Sequence, residues 1–131
     1  AVGEGRDRVD FRQADACNLP EDMTGYDLVC GFNLIDRLPD PTKFLESLSS
    51  RVHPGGLVVL SSPYTWLHSF TPRDQWVGGQ RGGRTTYEGL RDVLGTDFYE
   101  VLEPRDVWFV IKESPRNFQK TRAQFTFWQR K

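Results

Sequence analysis

The sequence predicts an α/β domain built on a largely parallel sheet, and three observations support this prediction. Two apolar runs, YDLVCGFNLI (26–35) and LVVLSS (57–62), are typical of buried strands. A helical pattern lies between them, and strands that alternate with helices indicate a parallel sheet. Two strand-like segments joined by a short connection end the chain. They predict an antiparallel edge, because parallel pairing needs a crossover of about a dozen residues.

The composition favours one folded unit and excludes several classes of protein. The 131 residues are 37% hydrophobic and 13% aromatic, which is enough to bury a core. A net charge of −1 gives no overall attraction to nucleic acid or to anionic membranes, and no apolar run approaches the roughly 20 residues that span a bilayer. We expect a single domain over 1–131, with neither nucleic-acid nor membrane partners.

The cysteines and histidines predict neither a disulfide scaffold nor a metal site. Cys17 and Cys30 match no zinc spacing, and Cys30 is expected to pack in the core. His53 and His68 have no cysteine or carboxylate cluster at ligand spacing. A reducing, cytoplasmic location is the expectation for such a chain.

The elements of the first half follow from local signals. RVDFRQAD (8–15) alternates apolar and polar residues and predicts a short strand, followed by a loop up to Gly25. The run 26–35 predicts a strand buried on both faces. Asp40 and Pro41 predict a helix start, and the helix is expected to continue to about Arg51. The Pro-Gly-Gly turn at 54–56 ends it before the strand 57–62.

The second half begins with a long irregular stretch, 63–84, that holds four aromatic residues. Loops of this length are often functional, and the aromatic content favours a lid over a site. A capped helix is predicted over 85–98, ended by Gly95. Strand material follows over 99–114, interrupted at Pro104, and the segment 118–131 predicts a final strand.

Candidate site residues follow from the rule that ligands bind at the carboxyl ends of strands in open α/β sheets. Asp15 and Ala16 follow the first predicted strand, where a carboxylate can accept a hydrogen bond from an adenine amino group; alternatively, Asp15 caps its own turn. Asn33 and Leu34 follow the second strand, where Asn33 can instead satisfy the backbone at the strand end.

Further candidates lie next to these strand ends. Asp36 and Arg37 can meet a zwitterionic substrate at the pocket mouth, or can form a solvated pair. Tyr64 and Trp66 follow the strand 57–62, where aromatic rings can wall a small pocket and attract a sulfonium cation. The alternative is a hydrophobic clamp that holds the lid closed.

Four motifs in order resemble class I S-adenosylmethionine-dependent methyltransferases: D-A-x-x-L-P (15–20), Y-D-L-V (26–29), L-x-D-P-x-x-F-L (38–45) and H-P-G-G-L-V-V-L-S (53–61). The resemblance covers about the first half of the chain. It implies a Rossmann-like sheet and S-adenosylmethionine as cofactor. It also implies that Asp15 and Ala16 lie at the adenine, and that Asn33 and Leu34 lie beside the methionine.

A narrower resemblance comes from SSPYTWLHSFTPRDQWVGG (61–79) and the tail RNFQKTRAQFTFWQRK (116–131). These segments look like the methyltransferase domain of ovothiol biosynthesis, a 4-mercaptohistidine N1-methyltransferase that often follows a sulfoxide synthase domain. The resemblance implies methyl transfer to an imidazole nitrogen. It makes Tyr64, Trp66 and Trp76 candidates for the substrate walls. Asp36 or Tyr64 would orient the imidazole or take its proton.

The sequence departs from the family at its N-terminal side. The glycine-rich first strand and the acidic end of the second strand, which grip the cofactor in the family, have no counterpart before residue 26. We therefore expect the chain to be the C-terminal part of a longer protein. Two alternatives stay open: a methyltransferase for another small phenol, amine or carboxylate, and a non-catalytic binding module of the same fold.

Overall fold

The computed structural model describes residues 4–80 and 83–131. Within these ranges the chain forms six regular elements, which are β1 (Tyr26–Phe32), α1 (Pro41–Arg51), β2 (Val52–Ser62), α2 (Thr86–Leu94), β3 (Phe98–Ser114) and β4 (Asn117–Arg130). The sheet has the order β1-β2-β4-β3. β1 and β2 pair in parallel, whereas β4 pairs antiparallel with both β2 and β3. The predicted α/β class with an antiparallel C-terminal edge is confirmed.

Helix α1 begins and ends as the sequence predicts. The Asp40 side chain accepts a hydrogen bond from the backbone N–H of Lys43 at 3.0 Å, and Pro41 occupies the first turn. After Arg51 the chain enters β2 directly. The predicted Pro-Gly-Gly turn forms an irregularity inside β2, because Tyr26 pairs with Val52 but Leu28 pairs with Leu57, which leaves 53–56 unmatched.

One buried cluster joins both helices to the sheet. Its fully buried members include Leu45 and Leu48 of α1, Leu60 of β2, Leu90 of α2 and Trp128 of β4. The strand alternation places Leu57 on the opposite side from Val58, and Leu57 is exposed whereas Val58 is buried. The core therefore lies between the helices and one face of the sheet.

Three expectations for the N-terminal half are wrong. β1 is not buried on both faces: five of its seven residues are exposed, and Cys30 is exposed and not packed in the core. β1 is an edge strand of the described sheet, so no neighbour covers its outer side. The segment 8–15 is not a strand either; Phe11 is 92% exposed, because the segment has no ladder partner among the described residues.

The hairpin of β3 and β4 is longer than the rest of the sheet. Pairing of β2 with β4 stops at Ser62 and Gln124, while β3 and β4 continue to pair as far as Ser114 and Asn117. We call residues 107–123 the hairpin arm. Its β4 half projects past β2 by roughly 20 Å, at about 3.4 Å per residue. The break predicted at Pro104 is a register shift between Leu102 and Arg105 within a continuous β3. In the described ranges, no helix has the length and apolar character needed to cross a membrane.

Candidate functional site

The carboxyl ends of β1 and β2 lie side by side, with Phe32 paired to Ser61. Asn33 follows β1 with φ 51°, and Tyr64 lies just beyond β2 with φ 54°; these are the non-glycine residues with positive φ in the described ranges. Such backbone is rare, especially for a bulky side chain, and it is maintained only where the surroundings over-determine it. Strained residues of this kind cluster at functional sites, so this edge of the sheet is the candidate active site.

Asn33 is held by β2. Its backbone N–H donates to the Ser61 carbonyl oxygen at 2.8 Å, and the Ser61 hydroxyl donates to Asn33 Oδ1 at 3.4 Å. These bonds stabilise the left-handed turn at the end of β1. They match the alternative in which Asn33 satisfies the strand end, and they leave the amide nitrogen of its side chain free of a described partner.

Asp36 is a buried carboxylate with one oxygen bonded and one free. The residue is 1% exposed, which excludes the solvated pair considered above. Its Oδ2 accepts from the Thr65 N–H at 3.0 Å, from the Thr65 hydroxyl at 2.9 Å and from the Arg37 guanidinium at 3.2 Å. Arg37 also donates to the Thr65 carbonyl at 2.8 Å. Asp36 Oδ1 is buried without a hydrogen-bond partner among the described residues.

A small hollow opens beside this network, and we call it the Asp36 pocket. It has a volume of about 200 Å³ and is lined by Asn33, Asp36, Arg37 and Pro63 at the strand ends, together with Phe109 and Ile111 of the hairpin arm. Sequence reasoning missed the last two residues. The alternation along β3 is visible in the sequence, but the register that brings the arm to this site depends on pairing with a distant strand.

Tyr64 lies at the same edge as a neutral hydrogen-bond donor. Its hydroxyl donates to Gln124 Oε1 at 3.0 Å, and its N–H donates to the Ser62 hydroxyl at 3.0 Å. Burial raises the pKa of the Tyr64 phenol far above its ordinary value, and the negative charges of Asp106 and Asp36 raise it further. The one O–H of this phenol is already used in the bond to Gln124, so Tyr64 can offer a ligand only the lone pairs of its oxygen.

Trp66 and Trp76 belong to the connection between β2 and α2. Their rings stack with centroids 6.1 Å apart. The Trp66 indole N–H donates to the Thr86 hydroxyl at 2.9 Å, and Trp66 is 8% exposed within the core. The Trp76 N–H donates to the Thr71 carbonyl at 2.8 Å. This arrangement fits the clamp alternative. Residues 81–82 of the predicted lid lie outside the described residues.

A second hollow runs along β1, from Tyr26 at the start of the strand to Leu34 just past its end. It measures about 340 Å³, and its mainly apolar lining includes Ala16, Leu28, Leu34 and Phe44. Asp15 Oδ1 accepts from the Cys17 N–H at 2.9 Å, so this carboxylate caps its own turn beside Ala16. The structure thus places Ala16 and Leu34 together in one hollow and places Asn33 with Asp36 in the other.

Consecutive residues line the two hollows: Asn33 lines the smaller one and Leu34 lines the larger one. The carboxyl end of β1 therefore contributes to both.

Part of this sequence is similar to curated proteins, and its fold is similar to solved structures. The chain is 35% identical over 63 residues to a ubiquinone biosynthesis O-methyltransferase of Leptothrix cholodnii, a match that covers 47% of this chain and 27% of that protein. A Pseudomonas aeruginosa protein of the same name is 36% identical over 55 residues, or 41% of this chain and 24% of that protein. The chain thus matches about a quarter of the length of these curated relatives.

Among solved structures, an S-adenosylmethionine-dependent methyltransferase of Methanosarcina mazei superposes with a TM-score of 0.61 at 15% identity, over 92% of this chain and 66% of that one. At such identity the likeness concerns the fold alone. The family model described as a methyltransferase domain matches residues 2–129. The chain therefore belongs to the methyltransferase domain family.

Proposed function

We propose that this chain takes part in the transfer of a methyl group from S-adenosylmethionine to an imidazole nitrogen of 4-mercaptohistidine. The observation that carries the proposal of methyl transfer is the match of residues 2–129 to a methyltransferase domain, in which Asn33 and Leu34 each line a hollow at the end of β1. The choice of acceptor rests on the resemblance of segments 61–79 and 116–131 to the ovothiol enzyme. The chain covers 66% of the Methanosarcina structure, which supports a role as part of one methyltransferase domain.

The residues at the larger hollow fit S-adenosylmethionine. Ala16, Leu28, Leu34 and Phe44 offer apolar surface to the faces of a purine. The Asp15 carboxylate is exposed beside them, and its Oδ2 has no described partner, so it can accept from an amino group. A volume of about 340 Å³ lies within the roughly 300–1,000 Å³ usual for small-molecule sites. When bound, this cofactor supplies a methyl group activated by its sulfonium.

The chain's own residues position and shield the acceptor. In this proposal the Asp36 carboxylate, which lines the smaller hollow, accepts the N–H of a neutral imidazole, and the lone pair of the other ring nitrogen acts as the nucleophile. The network with Thr65 and Arg37 holds this carboxylate still. Tyr64 supports the edge as a neutral donor. The expected gain comes from proximity, orientation and exclusion of water, without a strong base.

A second candidate acceptor is a phenol or other hydroxyl. Both curated relatives described above are O-methyltransferases, and their 35–36% identity favours this alternative. A hydroxyl acceptor would place its O–H against Asp36 in the same way as an imidazole N–H.

The test is an acceptor panel with the longest natural polypeptide that carries this sequence. Formation of S-adenosylhomocysteine is followed with 4-mercaptohistidine, histidine and catechol, and the product is located by NMR. We expect a methylated ring nitrogen on 4-mercaptohistidine. Methylation of catechol alone would replace this acceptor with the hydroxyl alternative, and no turnover with any acceptor would contradict the proposal.

The role of Asp36 is tested in the same assay with Asp36→Asn. This variant should lower turnover while leaving cofactor affinity unchanged. Asp92→Asn is the matched control, because Asp92 is half-exposed in an ion pair with Arg84 away from the site. A loss of cofactor affinity alone would show that the role given to Asp36 is wrong.

A further inference from the structure

We propose that the hairpin arm selects the acceptor. Phe109 and Ile111 form the apolar wall of the Asp36 pocket. The molecule that this pocket recognises is a small ring that carries an N–H group. The inference deepens the proposed function and rests on it. Among the described pocket residues, these two come from the part of the hairpin that projects past β2.

The register of the arm explains how these side chains reach the site. Phe109 pairs with Thr121 and Ile111 pairs with Gln119, both beyond the last pairing of β2 with β4. Alternate residues of a strand share a face, so Phe109 and Ile111 lie on the same side of the arm. Val110 between them lies on the other side; Val110 is 59% exposed and Ile111 is 48% exposed, so the strand alternation, and not burial, separates the two faces. The pocket is thus lined on one side by β3, and not only by the residues that follow β1 and β2.

The chemistry of the pocket narrows the ligand class. A buried acceptor oxygen without a partner is costly, and a ligand N–H placed against Asp36 Oδ1 would remove that cost. The other lining residues include the apolar side chains of Pro63, Phe109 and Ile111, and the aromatic ring of Phe109 can hold a flat ring by offset or edge-to-face packing. A volume of about 200 Å³ is below the usual range for drug-sized sites and suits a single small ring.

Arg37 does not change this assignment. Its guanidinium donates to Asp36 and to both the carbonyl and the hydroxyl of Thr65, and it lies over the Phe70 ring at 5.2 Å. These contacts fix it as a support of the pocket. The residues that recognise the ring are then Asp36 and the two apolar residues of the arm, Phe109 and Ile111.

The first experiment compares neighbouring residues on opposite faces of the arm. In the full polypeptide, Phe109→Ala and Ile111→Ala should each raise the KM for 4-mercaptohistidine by about tenfold or more, the usual effect of trimming an apolar pocket wall. The KM for S-adenosylmethionine should not change. Val110→Ala is the control and should behave as the unaltered protein. Equal effects of Ile111→Ala and Val110→Ala would overturn the inference.

The second experiment reads binding without turnover. Cysteine is placed at position 111 (Ile111→Cys) or 110 (Val110→Cys), and labelling by a thiol reagent is followed by peptide mass spectrometry. Histidine is the probe, because it carries the imidazole N–H without a thiol that would consume the reagent. We expect histidine to slow labelling at position 111 and not at position 110.

The two experiments separate the inference from the proposed function. Protection of position 111 without methyl transfer to any acceptor would support the arm as a ligand wall and refute methyl transfer. The opposite result is methyl transfer to the imidazole with normal kinetics in Ile111→Ala and no histidine protection of position 111. It would refute the role of the arm as a ligand wall and would leave the proposed function unchanged.

Discussion

Removal of the Asp36 carboxylate should loosen the junction between the ends of β1 and β2. In Asp36→Ala the backbone N–H of Thr65 loses its acceptor, and the Thr65 hydroxyl and Arg37 each lose one. Breaking a buried ion pair from one side costs about 3–5 kcal/mol. The Arg37 side chain is 37% exposed and can be solvated, so the lower end of that range, about 3 kcal/mol, applies. This is a large share of the roughly 5–15 kcal/mol that stabilises a typical domain.

The measurement is urea unfolding of the full polypeptide followed by circular dichroism, together with hydrogen exchange at the Thr65 amide. The unfolding midpoint should fall without a change in the m-value, and the Thr65 amide should exchange faster. Asp36→Asn keeps the shape and one acceptor oxygen, so we expect a smaller loss of about 1–2 kcal/mol. Asp92→Ala, which breaks an exposed ion pair with Arg84, should cost no more than about 1 kcal/mol.

Two results would refute this reasoning. One is a loss of stability in Asp36→Ala no greater than that in Asp92→Ala. The other is unchanged protection of the Thr65 amide in a variant that is otherwise destabilised. In either case the network around Asp36 would not be what holds the strand ends together.

Two further predictions concern backbone and burial. Because the pKa of Tyr64 is raised in the folded chain, its contribution to stability is complete below about pH 10, the ordinary phenol pKa, and is lost as the pH rises above it, where the unfolded chain releases a proton that the folded chain retains. Urea titrations at pH 9 and 11 should therefore show a smaller loss of unfolding free energy for Tyr64→Phe than for the unaltered protein. An equal loss would contradict burial of the phenol. Gly78→Ala should destabilise by more than about 2 kcal/mol, since its φ is 68° and an added Cβ would overlap the Thr85 carbonyl oxygen. Gly55→Ala is the control, because Gly55 has φ 80° and open space around an added Cβ. Its unfolding free energy should fall only by the cost of the backbone strain. Equal losses of unfolding free energy in both variants would show that the overlap at Gly78 has no effect.

Local sequence signals predicted most of the regular elements correctly. The acceptor at Asp40 followed by Pro41 placed the start of α1. The capped helix predicted over 85–98 and ended by Gly95 is α2, and the structure shows that its cap is a capping box of Thr85 and Glu88. The short connection between the last two strands predicted their antiparallel pairing. These features depend on residues close together in the chain, so they can be read without knowledge of the tertiary fold.

The sequence by itself thus determined the fold class, the helix boundaries and the sheet edge at which Asn33, Asp36 and Tyr64 lie. Only the tertiary structure decided which strand forms the edge, and hence that β1 and Cys30 are exposed and that 8–15 remains unpaired. It also placed Trp66 in the core and brought Phe109 to the Asp36 pocket. The physical reason is that burial and pocket formation depend on pairing and packing between distant segments, whereas caps and turns depend on neighbours along the chain.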